Sequence, residues 1–254
     1  MKTKFRLLET GCNTAQVNMG IDESVLKHVS EGKSPPTIRF YSWKPPAVSI
    51  GYFQGIEEEV NLESCRKLGV DYIRRITGGG AVYHDKELTY SFIAPEHTPL
   101  VPDDILESYK VICGGLISGF GIIGVKAEFA PLNDIVTSGK KISGNAQTRR
   151  MSCVLQHGTI LLDVDVERMF SLLKVPSEKM KDKLIQNVKE RVTSAKLVLG
   201  REVGFCEASV AFAKGFSKSL DIRLEKGELS ESELDYAYKL AAEKYSTRDW
   251  NMKR

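Results

Sequence analysis

Three consecutive glycines, Gly78–Gly80, stand between strongly charged residues in the stretch "RRITGGGAVYHD" (residues 74–85). Glycine loses more backbone entropy on folding than any other residue, so this tripeptide is costly to order. Its N–H groups, free of side chains, can approach a ligand closely and form an anion-binding nest. The run is therefore either a mobile hairpin loop or a binding loop, and its neighbours have to distinguish the two.

The residues around the glycines favour a binding loop. Arg74 and Arg75 alternate across the end of a predicted strand, so one of them faces inward and offers a fork of donors to a phosphate or carboxylate. Thr77 adds a hydroxyl donor. His84 and Asp85 follow at a distance that closes the far side of such a pocket, although His84 alone is also compatible with an exposed loop histidine held by Asp85.

A second group of candidate residues lies in "NDIVTSGKKISGNAQ" (residues 133–147). The pair Lys140–Lys141 is compatible with two solvated lysines at a hairpin tip. Alternatively, one lysine points inward, where a buried ammonium needs an anionic partner. In that arrangement Gly144 and Ala146 leave room for a ligand beside the lysine.

Asn133 and Asp134, which precede the Lys140–Lys141 pair in the chain, can serve the same site. They can orient the inward lysine, or Asp134 can help to hold a Mg²⁺ that arrives with a nucleotide. We expect no metal held by protein ligands alone. His157, in "QHGTILL", lies on a strand further along the chain.

The pattern of the whole chain predicts an α+β fold. Runs rich in aromatic and β-branched residues predict six strands: "TIRFYSW", "AVSIGYF", "VDYIRR", "LTYSFIA", "KAEFA" and "VLQHGTILLDV". Apolar periodicity predicts five helices: Asp22–Val29, Asp103–Phe120, Val166–Leu173, Glu207–Leu220 and Glu231–Tyr245. Ser230 and Glu233 form a capping box before the last of these. A β-rich core over residues 1–174 and a smaller helical subregion over 175–254 are expected.

Composition excludes several classes of protein. A net charge of +3 over 254 residues is too small for nucleic acid to be the main partner. The apolar runs are short and broken by glycine, so no membrane span is expected. Cys12, Cys65, Cys113, Cys153 and Cys206 are odd in number and form no C-x-x-C pair. These features predict reduced thiols in a cytoplasmic protein.

Two nucleotide-binding motifs are also excluded. The stretch "GFGIIG" (residues 119–124) matches G-x-G-x-x-G, but a helix precedes it and a strand follows, the reverse of the dinucleotide fingerprint. These glycines instead predict a helix C-terminus. The stretch "TSGKKIS" lacks the upstream glycine of a Walker A motif.

Both candidate segments resemble the signature blocks of lipoate–protein ligase A, its octanoyltransferase relatives and the biotin ligases. The similarity extends to "RFYSWKPPAVSIGYFQ", "SEKMKDKLIQNVKERVTS" and "KYSTRDWN", and so covers essentially the whole chain. The resemblance implies a mixed β-sheet flanked by helices, the class II biotin/lipoyl ligase fold. It also implies that ATP and Mg²⁺ activate lipoate to lipoyl-AMP, and that the lipoyl group passes to a lysine of a lipoyl domain. That domain would belong to a 2-oxoacid dehydrogenase or to the glycine-cleavage H protein.

The resemblance also assigns the site. Lys141 matches the essential lysine of the family and is the expected catalytic residue. The expected substrate and nucleotide contacts are Arg74, Arg75, Thr77, Gly78, Gly79, Gly80, Val82, Tyr83, His84, Asn133, Asp134, Ser143, Gly144, Ala146 and His157.

The choice among family members depends on cysteine and on length. An octanoyltransferase uses an activated thiolate, either shortly before the "ND" segment or after the "HG" strand, and this chain has a cysteine at neither place. We therefore expect Cys153 to be a structural thiol. The preferred hypothesis is the catalytic subunit of a bipartite lipoate ligase, since no accessory domain follows the "WN" block. The alternative is an octanoyltransferase that uses acyl carrier protein as donor.

Overall fold

The computed structural model describes residues 2–174 and 178–253, which form alternating strands and helices. The strands are β1 Lys4–Asn13, β2 Thr37–Trp43, β3 Ala47–Ile50, β4 Asp71–Arg74, β5 Val82–His84, β6 Glu87–Pro95, β7 Glu128–Ala130, β8 Asp134–Thr137, β9 Lys140–Arg150, β10 Cys153–Leu161 and β11 Arg223–Lys226. The helices are α1 Ala15–Ser30, α2 Ile56–Glu59, α3 Leu62–Leu68, α4 Ile105–Ile122, α5 Val166–Leu172, α6 Glu178–Arg191, α7 Ala195–Leu199, α8 Phe205–Ser219, α9 Glu231–Leu240 and α10 Arg248–Met252. A π-helical turn, Ala241–Tyr245, follows α9.

Eight of these strands make one mixed sheet in the order β11-β1-β2-β6-β10-β9-β8-β7. Strand β1 runs parallel to β11 and β2, and the remaining pairs are antiparallel. A second sheet has the order β4-β3-β5, with β3 parallel to β4 and antiparallel to β5. The predicted α+β class, a mixed sheet flanked by helices, is confirmed.

Helices α4 and α8 cover one face of the large sheet. Phe216 and Phe212 of α8 lie against Gly115 and Gly119 of α4, where a Cβ would collide with either ring. Within the described part of the chain, α4 alone is long and apolar enough to cross a membrane. Its inner side, including the fully buried Phe120, belongs to the apolar core under the sheet, which is how a core helix of this composition is used.

Helices α1 and α9 cover the opposite face, and a buried ion pair joins this layer to the sheet. Arg6 of β1 contacts both carboxylate oxygens of Glu233 at 2.6 and 2.8 Å. Burial raises the pKa of Glu233, but hydrogen bonds from Arg6, the Ser230 N–H and Ser34 outweigh it and lower the pKa to about 2. Glu233 also completes the predicted capping box of α9 with Ser230, which is confirmed.

The small sheet explains where sequence and structure differ. The two-residue-period pattern of "AVSIGYF" predicts one longer strand, but β3 ends at Ile50 and the chain turns toward the glycine loop.

The segment after Lys174, predicted to be a helical subregion, supplies α8 to one face, α9 to the other and the edge strand β11. The boundary predicted between residues 174 and 175 adjoins residues 175–177, which lie outside the described residues.

Candidate active site

A cavity of about 160 Å³ lies between the two sheets, beside the glycine loop. From the first predicted group its wall contains Arg75, Gly79, Gly80, Val82 and His84. From the second group it contains Asn133, Lys141, Gly144 and Ala146, and His157 of β10 lies on the same wall. The fold therefore brings together two sequence segments that are more than forty residues apart. A neighbouring hollow of about 260 Å³ shares Val82, Lys141 and Gly144 with the cavity and adds Tyr83.

Space is available only for glycine at Gly79 in the loop and at Gly51 beside the loop. Gly79 has a φ of +94°, and a Cβ there would lie 2.9 Å from a guanidinium nitrogen of Arg75. Gly51, just after β3, packs so closely that a Cβ would collide with the carbonyl of Gly79. The loop is thus pressed against the small sheet and is tied to Arg75.

Arg75 is the cation at the base of this loop. It donates to the Gly78 and Gly80 carbonyls at 2.7 and 2.9 Å and to Thr77 Oγ1 at 3.1 Å. Among the described residues, all of its hydrogen bonds go to neutral oxygens. Burial lowers the pKa of Arg75 to about 10, so the guanidinium stays charged at neutral pH. Its charge is available to an anion or a developing oxyanion in the cavity.

Lys141 supplies a second positive charge on the cavity wall. Its Nζ lies 2.7 Å from Asp134 Oδ1, and both side chains are partly exposed, at 39% and 33%. Because a Cβ on Gly144 would lie 2.8 Å from this Nζ, glycine at 144 makes room for the ammonium. Asp134 thus orients the lysine, as the sequence analysis considered. Among the described residues no group of three His, Cys, Asp or Glu side chains is arranged to hold a metal ion.

A buried polar cluster supports the cavity from the side of the large sheet. Asp22 of α1 accepts hydrogen bonds from Arg39 at 2.7 Å and from Ser91 at 2.8 Å, and it lies 3.1 Å from His157 Nδ1. Burial raises the pKa of Asp22, and Arg39 and His157 outweigh it, so the carboxylate stays ionised. Burial lowers the pKa of His157 against the opposing effect of Asp22, so we assign a neutral imidazole at pH 7.

Strand alternation explains why these polar groups meet. In β2, β6 and β10 the side chains one step apart point to opposite faces. Tyr41 and Trp43 therefore share the cavity face with Thr89, His157 and their neighbours, while Phe40 and Phe92 enter the core under α8.

Several predicted site residues lie away from the cavity wall. Arg74 is fully buried and donates to carbonyl oxygens of the loop after β3 and of the C-terminal segment, including Tyr52 at 2.8 Å and Trp250 at 3.0 Å. It anchors the chain end to the small sheet, because successive strand residues point opposite ways and Arg75 takes the cavity side. Thr77 and Gly78 lie behind the wall, where they contact Arg75. Ser143 is buried without lining the cavity.

Other wall residues were not predicted from the sequence. They are Met19, Tyr41, Trp43, Ser49, Ala81, Thr89, Asn145, Gly158 and Thr159. The alternation of β2 could have placed Tyr41 and Trp43 on one face. Nothing in the sequence alone set the register that brings Ser49 beside His84.

The thiols lie elsewhere in the fold. Cys65, Cys113 and Cys153 are buried, and burial raises the pKa of Cys65 to about 11 and that of Cys113 to about 12. Cys12 and Cys206 are exposed. Cys12 contacts Ser42, whose side chain points to the sheet face opposite Tyr41 and Trp43. All five are free, and Cys153 packs into the core under α1 as a structural thiol would.

The cavity wall thus combines the apolar side chains of Met19, Trp43 and Val82 with the cations Arg75 and Lys141. This arrangement suits a ligand with an apolar chain and an electron-rich carbonyl or acid head, the type of ligand that acyl-handling enzymes bind.

Comparison with known proteins defines the family. The profile of the lipoyl protein ligase A/B catalytic domain matches residues 14–217, so the chain belongs to that family. The chain is 41% identical to the octanoyltransferase LipM of Anoxybacillus flavithermus, an alignment that covers 100% of this chain and 99% of the relative. It is 39% identical to LipM of Bacillus subtilis with the same coverage. The predicted membership in the ligase and octanoyltransferase family is confirmed.

Solved structures agree with the fold. The chain is similar to the bipartite lipoate protein ligase of Thermoplasma acidophilum, studied with its E2 lipoyl domain, at a TM-score of 0.88 and 34% identity over 99% of this chain and 96% of that one. It is also similar to a lipoate–protein ligase A bound with ATP, at a TM-score of 0.82 and 32% identity over 99% of each chain.

The preferred hypothesis of an ATP-dependent lipoate ligase is wrong. The curated relatives at about 40% identity over the full length are octanoyltransferases, which matches the alternative. The absence of a cysteine at either expected position therefore does not exclude a transferase. The coarser conclusion stands: the chain is an enzyme of this family, concerned with lipoate-related protein modification.

Proposed function

We propose that this protein is an octanoyltransferase, which moves an octanoyl group from the thioester of acyl carrier protein to a lysine ε-amine of a lipoyl domain. The observation that carries the proposal is the full-length identity of about 40% to octanoyltransferases. The cavity supports it with apolar wall residues for the acyl chain and two cations for the carbonyl oxygen.

The enzyme mainly has to position the two reactants and to stabilise the negative charge that develops on the carbonyl oxygen. A thioester is already activated, so the net reaction forms a C–N bond, breaks the C–S bond and moves one proton from the amine to the departing sulfur. Negative charge gathers on the carbonyl oxygen in the tetrahedral intermediate. Arg75 and Lys141 lie on the cavity wall, where their positive charges would stabilise this oxygen. One donor aimed at such an oxyanion typically lowers a barrier by about 3–4 kcal/mol.

The predicted ATP, Mg²⁺ and accessory subunit have no part in this reaction. Asp134, the residue considered for Mg²⁺, already faces the Lys141 ammonium. A lipoyl domain as acceptor is supported by the similarity to the bipartite ligase, which was studied with one.

A competition between donors tests the proposal. The protein is incubated with a lipoyl domain, octanoyl-acyl carrier protein, lipoate, ATP and Mg²⁺ together, and the intact mass of the domain is measured. We expect an octanoyl increment that is unchanged when ATP is omitted. A lipoyl increment that requires ATP would contradict the proposal.

A further inference from the structure

Ser49, His84 and Glu87 form a hydrogen-bonded series at the cavity wall. Ser49 Oγ lies 2.8 Å from His84 Nε2, and His84 Nδ1 lies 2.7 Å from Glu87 Oε1. Ser49 and His84 both line the cavity, and Glu87 lies behind them, 4% exposed. A serine, an imidazole and a carboxylate in this order are the parts of a nucleophilic triad.

Strand register places the first two members on one face. Ala47 of β3 pairs directly with His84 of β5. Because residues two apart on a strand share a face, Ser49 projects to the same side as Ala47 and lies diagonal to His84. Glu87 begins β6 three residues after His84, which brings its carboxylate to the other ring nitrogen.

The hydrogen bonds fix the direction of proton movement. Thr89 donates to Glu87 Oε1 at 2.7 Å, so this oxygen is an acceptor. With Glu87 accepting, we assign the His84 proton to Nδ1, which leaves Nε2 free to accept the Ser49 hydroxyl proton. The Trp43 ring stacks on the imidazole with centroids 4.1 Å apart and holds its plane.

Arg75 supplies a positive charge next to the proposed nucleophile. Its Nη1 donates at 3.1 Å to Ser49 Oγ, the oxygen that would attack. A positive charge there favours the developing alkoxide and lies next to the oxyanion that forms once Ser49 is bonded to a carbonyl carbon.

We propose that Ser49 is the covalent acyl acceptor of this enzyme and performs the role that a thiolate has in cysteine-dependent transfer. The inference rests on the proposed octanoyltransferase function and adds the nucleophile. It agrees with the positions of the five cysteines, none of which is on the cavity wall within the described chain.

The two half-reactions balance. Ser49 Oγ attacks the thioester carbonyl and its proton passes to His84 Nε2. The C–S bond then breaks, and the leaving sulfur takes that proton. In the second half, the lysine amine attacks the serine ester and gives a proton to His84. The C–O bond breaks, and the proton returns to Ser49 Oγ. No oxidant, reductant or nucleotide is needed.

A second hydroxyl has a similar arrangement but a poorer position. Thr77 Oγ1 lies 2.7 Å from His157 Nε2, and His157 contacts Asp22. Thr77 does not lie on the cavity wall, whereas Ser49 does. The oxygen of Thr77 accepts from Arg75 Nε, as Ser49 Oγ accepts from Arg75 Nη1. The structure therefore assigns the reaction to Ser49, with Thr77 linking Arg75 to His157.

Mass spectrometry of the full chain tests the proposal. The protein is mixed with octanoyl-acyl carrier protein without acceptor and quenched in acid, and the octanoyl group is located by peptide mapping. We expect the octanoyl group on Ser49 in the wild type and no adduct in Ser49→Ala. The rate at which Ser49→Ala transfers octanoyl to a lipoyl domain should fall on the order of 10³-fold or more. Ser49→Cys should regain an adduct, now a thioester that neutral hydroxylamine removes.

Ser24→Ala is the matched control. Ser24 is a fully buried serine whose hydroxyl donates to the Glu233 carbonyl at 2.7 Å, and it is not on the cavity wall. It should keep the Ser49 adduct and the transfer activity. If Ser49→Ala folds and transfers at the wild-type rate, or if the adduct maps to a cysteine, the serine assignment is wrong while octanoyl transfer stands. Absence of octanoyl transfer by the wild-type protein would refute both.

Discussion

Replacing Gly144 with alanine tests whether the position of the Lys141 ammonium matters to the reaction. A Cβ at 144 would lie 2.7 Å from Cε and 2.8 Å from Nζ of Lys141. The obstructed atoms are the end of a flexible side chain, so the lysine moves and the backbone stays in place. The contact between Lys141 and Asp134 is then lost.

The expected magnitudes for stability and for activity differ widely. The Lys141–Asp134 pair is more than a third exposed on the lysine side, and such pairs contribute up to about 1 kcal/mol. In a chain of this size that lowers Tm by about 2–4 °C. Loss of one positioned donor costs about 3–4 kcal/mol in the barrier, or roughly 10²–10³-fold in kcat.

The two quantities are measured on the same preparations, by calorimetric unfolding and by the rate of octanoyl transfer to a lipoyl domain. Gly121→Ala is the matched control, because Gly121 lies in α4 with no atom within 4 Å of a built Cβ. It should keep full activity and gain up to about 1 kcal/mol of stability. Adding Gly144→Ala to Lys141→Ala should cause little further loss of rate. Wild-type turnover in Gly144→Ala, or a further hundredfold loss in the double variant, would refute the reasoning.

Three further outcomes follow from the buried charges and the thiols. Asp22→Asn removes the carboxylate that faces the buried Arg39 and should cost about 3–5 kcal/mol in urea unfolding; a change under about 1 kcal/mol would show that this pair is not essential. Because the pKa of Glu233 is lowered from 4.5 to about 2, its stabilisation is complete above pH 4.5 and is lost as the pH falls toward 2. The Tm of Glu233→Gln should therefore lie below that of the wild type at pH 6 and converge with it near pH 2; a constant difference would contradict the assignment. Alkylation of the exposed Cys12 and Cys206 should leave octanoyl transfer intact. Inactivation by either adduct would indicate that the nucleophile is a thiol and not Ser49.

The fold was predictable in outline because its signals are local. Alternating aromatic and β-branched residues predicted β2, which matches Thr37–Trp43, and the Ser230 capping box marked the start of α9. The three-residue strand β5 was missed, since three residues carry too little periodicity to distinguish a strand from a loop. The small sheet that shapes the glycine loop was missed with it.

The site was predictable as two segments but not as a mechanism. Charge and glycine content predicted that one arginine of Arg74–Arg75 and one lysine of Lys140–Lys141 belong to the site, and the family resemblance selected Lys141. Which of the two adjacent arginines faces the cavity depends on how β4 is placed against the chain end, which sequence alone does not give. His84 was paired with Asp85 as one option because they are adjacent, whereas strand register pairs it with Ser49 and Glu87.

The activity was misjudged for a chemical reason. The absence of a well-placed cysteine favours a ligase over the octanoyltransferase alternative only if a thiolate is the sole possible nucleophile. Ser49, the proposed oxygen nucleophile, lies on the cavity wall beside His84, so on this proposal a missing thiol does not decide between ligase and transferase.

The most direct measurement uses a single donor without nucleotide. The protein, treated with apyrase to remove ATP, is mixed with octanoyl-acyl carrier protein and a lipoyl domain, and the intact mass of the domain is followed with time. The account predicts a single octanoyl increment on the acceptor lysine, formed at the same rate as in the reaction that contains ATP. An unmodified domain that gains its acyl group only after free octanoate or lipoate and ATP are added would contradict it.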